Sequence, residues 1–429
     1  MSRKPNASLI FIFITVLIDV IGIGIIIPVF PSLIAELNGS GMSDAARVGG
    51  WLIIAYAAMQ FFFAPVLGQL SDKFGRRPII LIALLGLGLD YIFHAWAPTL
   101  MWLFVGRILA GITGASFTVA SAYIADISTP EKKAQNFGML GAAFGLGFII
   151  GPVIGGVASE WGIRAPFLVA AALSLLNFLY GLFILPESHP KENRVPFNWK
   201  KANPFSSFMF LRKYPGLMGF VLSFFIIYVA GHAVQSTWGF FTMYEFDWDE
   251  TTVGYSLALV GAVVAIVQGG LVQKAVAWFG QQKTVIIGMS LWALGMFLFA
   301  FASNSWMMFA FIIPYCLGGI AGPTLQGIVS NKVPVKEQGK LQGALTSLIS
   351  LSSIIGPAAM TYIFYTFTQD DAPIAFSGAA FFAGGILMLL SLFLVLGPLR
   401  RSKLEAKAVP QQEVETSTQL PAPETSTTV

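Results

Sequence analysis

The stretch GQLSDKFGRRPIIL, residues 68–81, is a short charged clip between two long apolar runs. Asp72, Lys73, Arg76 and Arg77 stand where the chain must turn in water. Gly68 and Gly75 permit close approach of turn and helix, and Pro78 suits the first turn of the next helix. Outward on both sides, the flanking runs are each about 20 apolar residues, the length that crosses a bilayer as a helix.

The rest of the chain repeats this pattern. Of 429 residues, 56% are hydrophobic and only 11% charged, against roughly 25% charged in soluble domains. Long, continuously apolar runs argue for helices rather than a barrel of short alternating strands. Twelve spans are expected, near 7–28, 47–69, 78–97, 100–124, 136–158, 164–185, 216–238, 252–274, 283–302, 305–329, 341–366 and 374–396. The first is read as an uncleaved span, because it is long and lacks a clear small-residue cleavage site. The fold class is therefore an all-α membrane protein. Its expected parts are a six-helix bundle over 1–185, a linker over 186–213, a second bundle over 214–398 and a disordered tail over 399–429.

Charge sets an expected orientation. With the amino terminus in the cytoplasm, cytoplasmic segments hold 22 of the 25 Lys and Arg, as the positive-inside rule requires. Both termini and the linker are then cytoplasmic. The net charge of +4 reads as topology, not as a nucleic-acid footprint. The single cysteine, Cys316, excludes an intrachain disulfide, and the three scattered histidines exclude a His-rich metal site. No cofactor is expected; a proton gradient would supply the energy. No Ser–His–Asp order, metal-ligand spacing or phosphate loop favours an enzyme.

The chain also repeats at an offset of 205 residues. Phe74-Gly75 falls on Phe279-Gly280, and Ile149-Ile150-Gly151-Pro152 on Ile354-Ile355-Gly356-Pro357. This fits two six-span halves with a substrate site at the midplane between them. The halves differ in charge: Asp19 maps to Phe224, Asp90 to Gly295, Arg107 to Ile312, and Arg76 and Arg77 to Gln281 and Gln282.

Asp19, Asp90 and Arg107 lie inside spans, where a charge is costly and marks function by default. Helix rise puts Asp19 and Asp90 about 18 Å from the cytoplasmic end and Arg107 about 12 Å from the outer end. In a core about 30 Å thick these are similar levels. Burial and a neighbouring guanidinium act on a carboxylate in opposite senses, so such a site can take up and release a proton. A static ion pair that fixes helix packing is the alternative. Gln60, His94, Gln235, Trp238, Gln268 and Gln326 are candidates for lining a substrate cavity, or else for interhelical bonding or packing. In the fifth span, Gly147, Gly151, Pro152, Gly155 and Gly156 offer a small-residue packing face and a kink.

Several of these stretches resemble a known family. The spacing G-x-L-x-D-x-x-G-R-R at 68–77 is similar to the loop between spans two and three of the major facilitator transporters. G-x-x-x-G-P-x-x-G-G from Gly147 to Gly156 resembles the superfamily's antiporter motif. LIDVIGIGIIIPVFP at 17–31, Leu89-Asp90-Tyr91, GRILAGITGA at 106–115 and GAAFGLGFIIGPVIGG at 141–156 are similar to bacterial twelve-span drug/proton antiporters, nearest the tetracycline/proton antiporter family. The resemblance implies a proton-coupled exporter of a small amphipathic compound in a bacterial inner membrane. An endogenous metabolite or siderophore is the alternative cargo. Its expected partners are substrate, protons and lipid, with no nucleic acid, and the chain acting as a monomer. It further implies proton coupling at Asp19, Asp90 and Arg107, and a cytoplasmic gate at Gly68, Asp72, Gly75, Arg76, Arg77 and Asp126. Arg76 or Arg77 would pair with Asp126, while Asp72 would face a helix start in the carboxyl half. The family's tetracycline exporters carry a carboxylate in span nine and a histidine in span eight. Here 289–297 and 260–270 are uncharged, with Trp292 and Val264 at those places and Gln268 retained.

Overall fold

The computed structural model describes residues 5–114, 116–129, 132–199, 203, 211–334, 337–372 and 374–417. Lys200 and Lys201 of the linker, and the end of the tail at 418–429, lie outside the described residues. In the amino half the helices are α1 (Pro5–Ile26), α2 (Phe30–Asn38), α3 (Met42–Phe74), α4 (Arg76–Trp96), α5 (Leu100–Thr113), α6 (Ser116–Ile127), α7 (Lys133–Ser159) and α8 (Ala165–Ile184). In the carboxyl half they are α9 (Met218–Phe246), α10 (Glu250–Ile266), α11 (Val272–Ala300), α12 (Ser305–Leu317), α13 (Ala321–Asn331), α14 (Gln338–Thr368) and α15 (Ala379–Ser417). No strand occurs among the described residues. The last helix continues past 398 into the segment that composition marked as disordered.

Among the described residues, eleven helical stretches are long and apolar enough to span a bilayer. One of them, Glu250–Ala300, is 51 residues long, about 75 Å at helix rise and far too long for one crossing. Gly280, with φ 75° and ψ 158°, breaks it inside α11, so it is two spans and the total is twelve. Gly75 has nearly the same angles, φ 105° and ψ 159°, between α3 and α4. The sequence repeat is thus also a backbone repeat. At φ above zero a side chain would be strained, and at Gly75 it would also meet the Glu187 carboxylate.

In the amino half α1 packs on α7 and α8, and α4 on α5 and α8; in the carboxyl half α9 packs on α14 and α15, and α11 on α12 and α15. The halves meet chiefly through two crossed pairs, α7 on α10 and α3 on α14. The repeat exchanges these pairs, as a two-fold relation demands. Each pair is tight at one end of the bundle only. We call this the far end, and the end holding the start of α1, the Gly75 turn and the linker the terminal end. At the far end Thr251 Oγ1 donates to the Gly156 carbonyl at 3.0 Å, and Ser43 and Thr368 hydroxyls are 2.7 Å apart. A Cβ on Gly261 would sit 2.7 Å from Ile149, whereas Gly141, Gly145, Gly269 and Gly270 toward the terminal end have no heavy atom within 4 Å of that position. The apolar core follows suit. One cluster runs from Ile25, Leu33 and Leu52 through most of the carboxyl half, but Ile12, Val16, Ile80 and Val119 form a separate one, and so do Val267, Ala275 and Ile320. The halves are sealed at the far end and splayed at the terminal end.

Candidate functional site

Asp90 on α4 and Arg107 on α5 face each other, with Nη2 3.2 Å from Asp90 Oδ2. His94 completes the group, one helical turn beyond Asp90. Its Nδ1 lies 2.8 Å from the Asp90 carbonyl and 3.1 Å from Oδ1. Its Nε2 accepts from Arg107 Nε at 2.9 Å. Accepting at Nε2 leaves the proton on Nδ1, so His94 is assigned as the neutral tautomer donating toward Asp90. The side chains of Asp90 and His94 are 1% and 0% exposed. Gly106 makes room for them, since a Cβ there would sit 2.7 Å from Asp90 Oδ1 and 3.0 Å from His94. The guanidinium also lies beneath the Phe30 and Tyr56 rings, at 5.3 and 5.9 Å. His94, expected to line a cavity, is instead the bridge of a closed ionic triad.

Asp19 sits elsewhere on the same half, on α1, and is 6% exposed. It lines a cavity of about 250 Å³ together with Val16, Val20, Tyr56, Gln60, Phe117 and Phe144. Gln60 Nε2 donates to the Gly114 carbonyl at 2.9 Å and to Tyr56 Oη at 3.1 Å. The cavity is built wholly from the amino half. Of the other expected lining residues, Trp238 is buried in the carboxyl-half core, where Nε1 donates to Ser256 Oγ at 2.9 Å and Phe299 and Phe381 flank the ring. In this arrangement it is core, not cavity wall. Gln326 donates to Gln342 at 2.8 Å, and Gln235 is exposed. Gln268 lies in a single π-helical turn, Val267–Leu271. That turn continues the α10 face carrying Gly254 and Gly261 into the splayed region, a local distortion often found at functional sites.

The fifth-span glycines are a joint between three helices. Cβ atoms on Gly147 and Gly151 would sit 2.6 Å from Val20 and 2.7 Å from the Ile21 carbonyl of α1. Gly155 is pressed on Ile25, and Gly156 on Thr251 of α10. The motif therefore holds the Asp19 helix on one side and the opposite half on the other.

At the terminal end Arg76 is 7% exposed. It donates from Nη1 to Ser71 Oγ at 2.6 Å and Asp72 Oδ1 at 2.5 Å, and from Nε to Asp126 Oδ2 at 3.0 Å. Asp72 is thus held within its own half, by Arg76 and by Gln69 at 3.3 Å, and not against a helix of the carboxyl half. Gly68 is open, and Arg77 Nη2 donates to the Leu182 carbonyl at 2.5 Å. Sequence reasoning missed Glu187. It accepts from the backbone N–H groups of Arg76 and Arg77 at 2.9 and 3.3 Å, capping α4, whose own N-cap is a glycine. The available signal was an acid at the very start of a linker otherwise rich in Lys and Arg, where only Glu192 is a second acid. His189 Nδ1 also reaches Asp126, at 3.6 Å. No cluster of His, Cys, Asp and Glu among the described residues is arranged to hold a metal.

The Major Facilitator Superfamily profile matches residues 12–279 and 274–424. The tetracycline resistance protein of class C from Escherichia coli is 42% identical over 389 residues, covering 91% of this chain and 96% of that protein. The class B protein from Escherichia coli is 36% identical and covers 94% and 100%. In fold, the human organic anion transporter MFSD10 (TETRAN) superposes with a TM-score of 0.68 at 21% identity, covering 92% and 100% of the two chains.

Proposed function

We propose that this chain, which belongs to the Major Facilitator Superfamily, is a multi-pass exporter that exchanges a small amphipathic drug, tetracycline or a compound like it, for protons. The drug class rests on the tetracycline resistance relatives. The proton rests on one observation: Asp19, a buried carboxylate, stands at the wall of the amino-half cavity. The terminal end is read as cytoplasmic from the Lys and Arg distribution. The splayed arrangement is then the drug-loading state, open to the cytoplasm and sealed outside.

In this cycle the drug enters between the halves while Asp19 gives up its proton to the cytoplasm. Rocking about the α7–α10 and α3–α14 contacts opens the far end, where drug leaves and a proton arrives. Asp90, His94 and Arg107 act as the fixed charge group that keeps the level polar. The Arg76–Asp72–Asp126 cluster shapes the cytoplasmic rim. The transporting unit is read as the single chain.

The test uses inverted membrane vesicles, tetracycline and a pH-sensitive dye. Wild-type protein is expected to release protons from acidified vesicles when tetracycline is added. Asp19→Asn is expected to lose that release while accumulating normally in the membrane. Undiminished release in Asp19→Asn would overturn the reading.

A further inference from the structure

Asp19 has a second polar neighbourhood that the drug cavity does not include. Along α1, Thr15, Asp19 and Gly22 share one face at helical spacing, while Val16 and Val20 face the cavity. Thr15 and Gly22 look toward α8. There Asn177 Nδ2 donates to the Thr15 carbonyl at 2.8 Å, and a Cβ on Gly22 would sit 3.4 Å from both Ser174 Oγ and Tyr91 Oη. Tyr91 is the chain neighbour of Asp90.

Four oxygens of this seam, Thr15 Oγ1, Tyr91 Oη, Ser174 Oγ and Asn177 Oδ1, are buried without a protein hydrogen-bond partner. All four residues are at most 2% exposed. Every other buried serine and threonine among the described residues spends its hydroxyl on a carbonyl of its own or a neighbouring helix. Thr15 and Ser174 alone do not. Asn177 is oriented by its bond to Thr15, so its carbonyl oxygen is left to accept. Buried polar atoms of this kind find partners in internal water. Hydroxyls that both donate and accept are the right chemistry for passing a proton along such water.

We infer that the seam between α1, α4 and α8 binds a short chain of water and carries protons to and from Asp19 by a route separate from the drug cavity. The inference rests on the proton-coupled reading of Asp19. It gives that residue two faces, one toward drug and one toward protons. A proton can then move while the cavity is occupied. The seam spans about 10 Å from Thr15 to Gly22 at helix rise, reaching from the terminal side of Asp19 to the edge of the Asp90 triad.

The experiment uses full-length protein in proteoliposomes with tetracycline as probe. Two rates are measured: proton movement driven by tetracycline, and exchange of labelled for unlabelled tetracycline, which needs no net proton transfer. Thr15→Val with Ser174→Ala is expected to slow proton movement by at least about tenfold and to leave exchange within about twofold of wild type. Thr15→Ser, which keeps the hydroxyl, is expected to match wild type. If the double variant does not accumulate, the isosteric Thr15→Val alone reads the same split. Unchanged proton movement in the variants overturns the seam. So does an equal fall in both rates, which would place these residues in the drug path or the folding core. Wild-type protein that exchanges tetracycline without moving protons overturns the coupled reading, and the seam with it; that outcome is recognised from the wild type alone.

Discussion

The two halves solve the same packing problem with different chemistry. In the amino half the level of Asp19 and Asp90 holds an ionic triad and a largely apolar cavity with Asp19, Tyr56 and Gln60 in its wall. In the carboxyl half the matching positions are Phe224, 1% exposed, Ile312, 0% exposed, and Gly295, on which Tyr315 is pressed. The backbone correspondence extends to the positive-φ glycines, Gly75 and Gly280. The cross-half joints are alike in kind but one residue out of register: a Cβ on Gly254 would press on the Pro152 carbonyl, whereas Gly50, not the repeat-equivalent Gly49, faces Thr361 and, at 3.7 Å, the Pro357 carbonyl. Fold and coupling are therefore separable. One sequence repeat suffices to build the bundle, and only one copy needs to carry buried charge.

That contrast can be broken most severely at Arg107. Arg107→Leu strands Asp90 in the core and is expected to cost about 3–5 kcal/mol of stability, read as thermal unfolding in detergent. Asp90→Leu combined with Arg107→Leu, the carboxyl half's own apolar solution, should recover most of that stability. If the double variant is no more stable than the single, the triad is holding the fold and the comparison fails. The reverse transplant, Phe224→Asp, puts an unpaired carboxylate into the apolar half. It is expected to cost about 2.5–3.5 kcal/mol and gives no new proton site, checked by the same melt and by the pH-dye assay.

A milder test concerns the joint. Gly156→Ala drives a methyl into Thr251, whose Cα is 2.8 Å from the ideal Cβ; overpacking of this kind costs about 1–3 kcal/mol. Gly145→Ala, in the same helix but open, should change stability by less than about 0.5 kcal/mol. Since the clash acts only when the far end is sealed, Gly156→Ala should also raise the reactivity of cysteines placed at the far end.

The smallest effect comes from a matched pair of acids. Asp249 and Asp44 stand 205 residues apart at the starts of α10 and α3. Asp249 caps its helix by accepting the Thr252 N–H at 2.8 Å, and that bond holds its carboxyl below the usual range. Asp44 instead pairs with Arg47 at an exposed site. Asp249→Ala should cost about 1 kcal/mol near neutral pH and Asp44→Ala less than about 0.5 kcal/mol. A lowered folded-state pKa gives stability that is full above the unfolded value, about 4, and lost as pH falls through the lowered one. The cost of Asp249→Ala should accordingly vanish in strong acid.

Much of this was legible from residues alone. Span number, the two halves, the buried positions of Asp19, Asp90 and Arg107 and the turn at Gly75 all follow from apolar run length, the offset repeat and the cost of charge in lipid. The meeting of Arg76 with Asp126 was also anticipated. What escaped was lateral geometry. His94 shares a face with Asp90 by spacing, yet nothing in the spacing says that Arg107 closes on its far nitrogen. Trp238 looks like cavity wall by composition, but which face of α9 turns inward depends on α15 and α11. Glu187 reaches the start of α4 from 111 residues away, a contact no local pattern encodes.

The sequence by itself determined a two-lobed helical membrane protein with its charge in one lobe, because the bilayer taxes each buried charge and each unsatisfied backbone group wherever it sits along the chain. Only the tertiary structure decided which end of the lobes is sealed, which polar residues share a cavity, and that Asp19 stands between that cavity and a second polar seam. Those are matters of how helices far apart in the chain rotate and lean against one another, and helical periodicity fixes a face without saying what it meets.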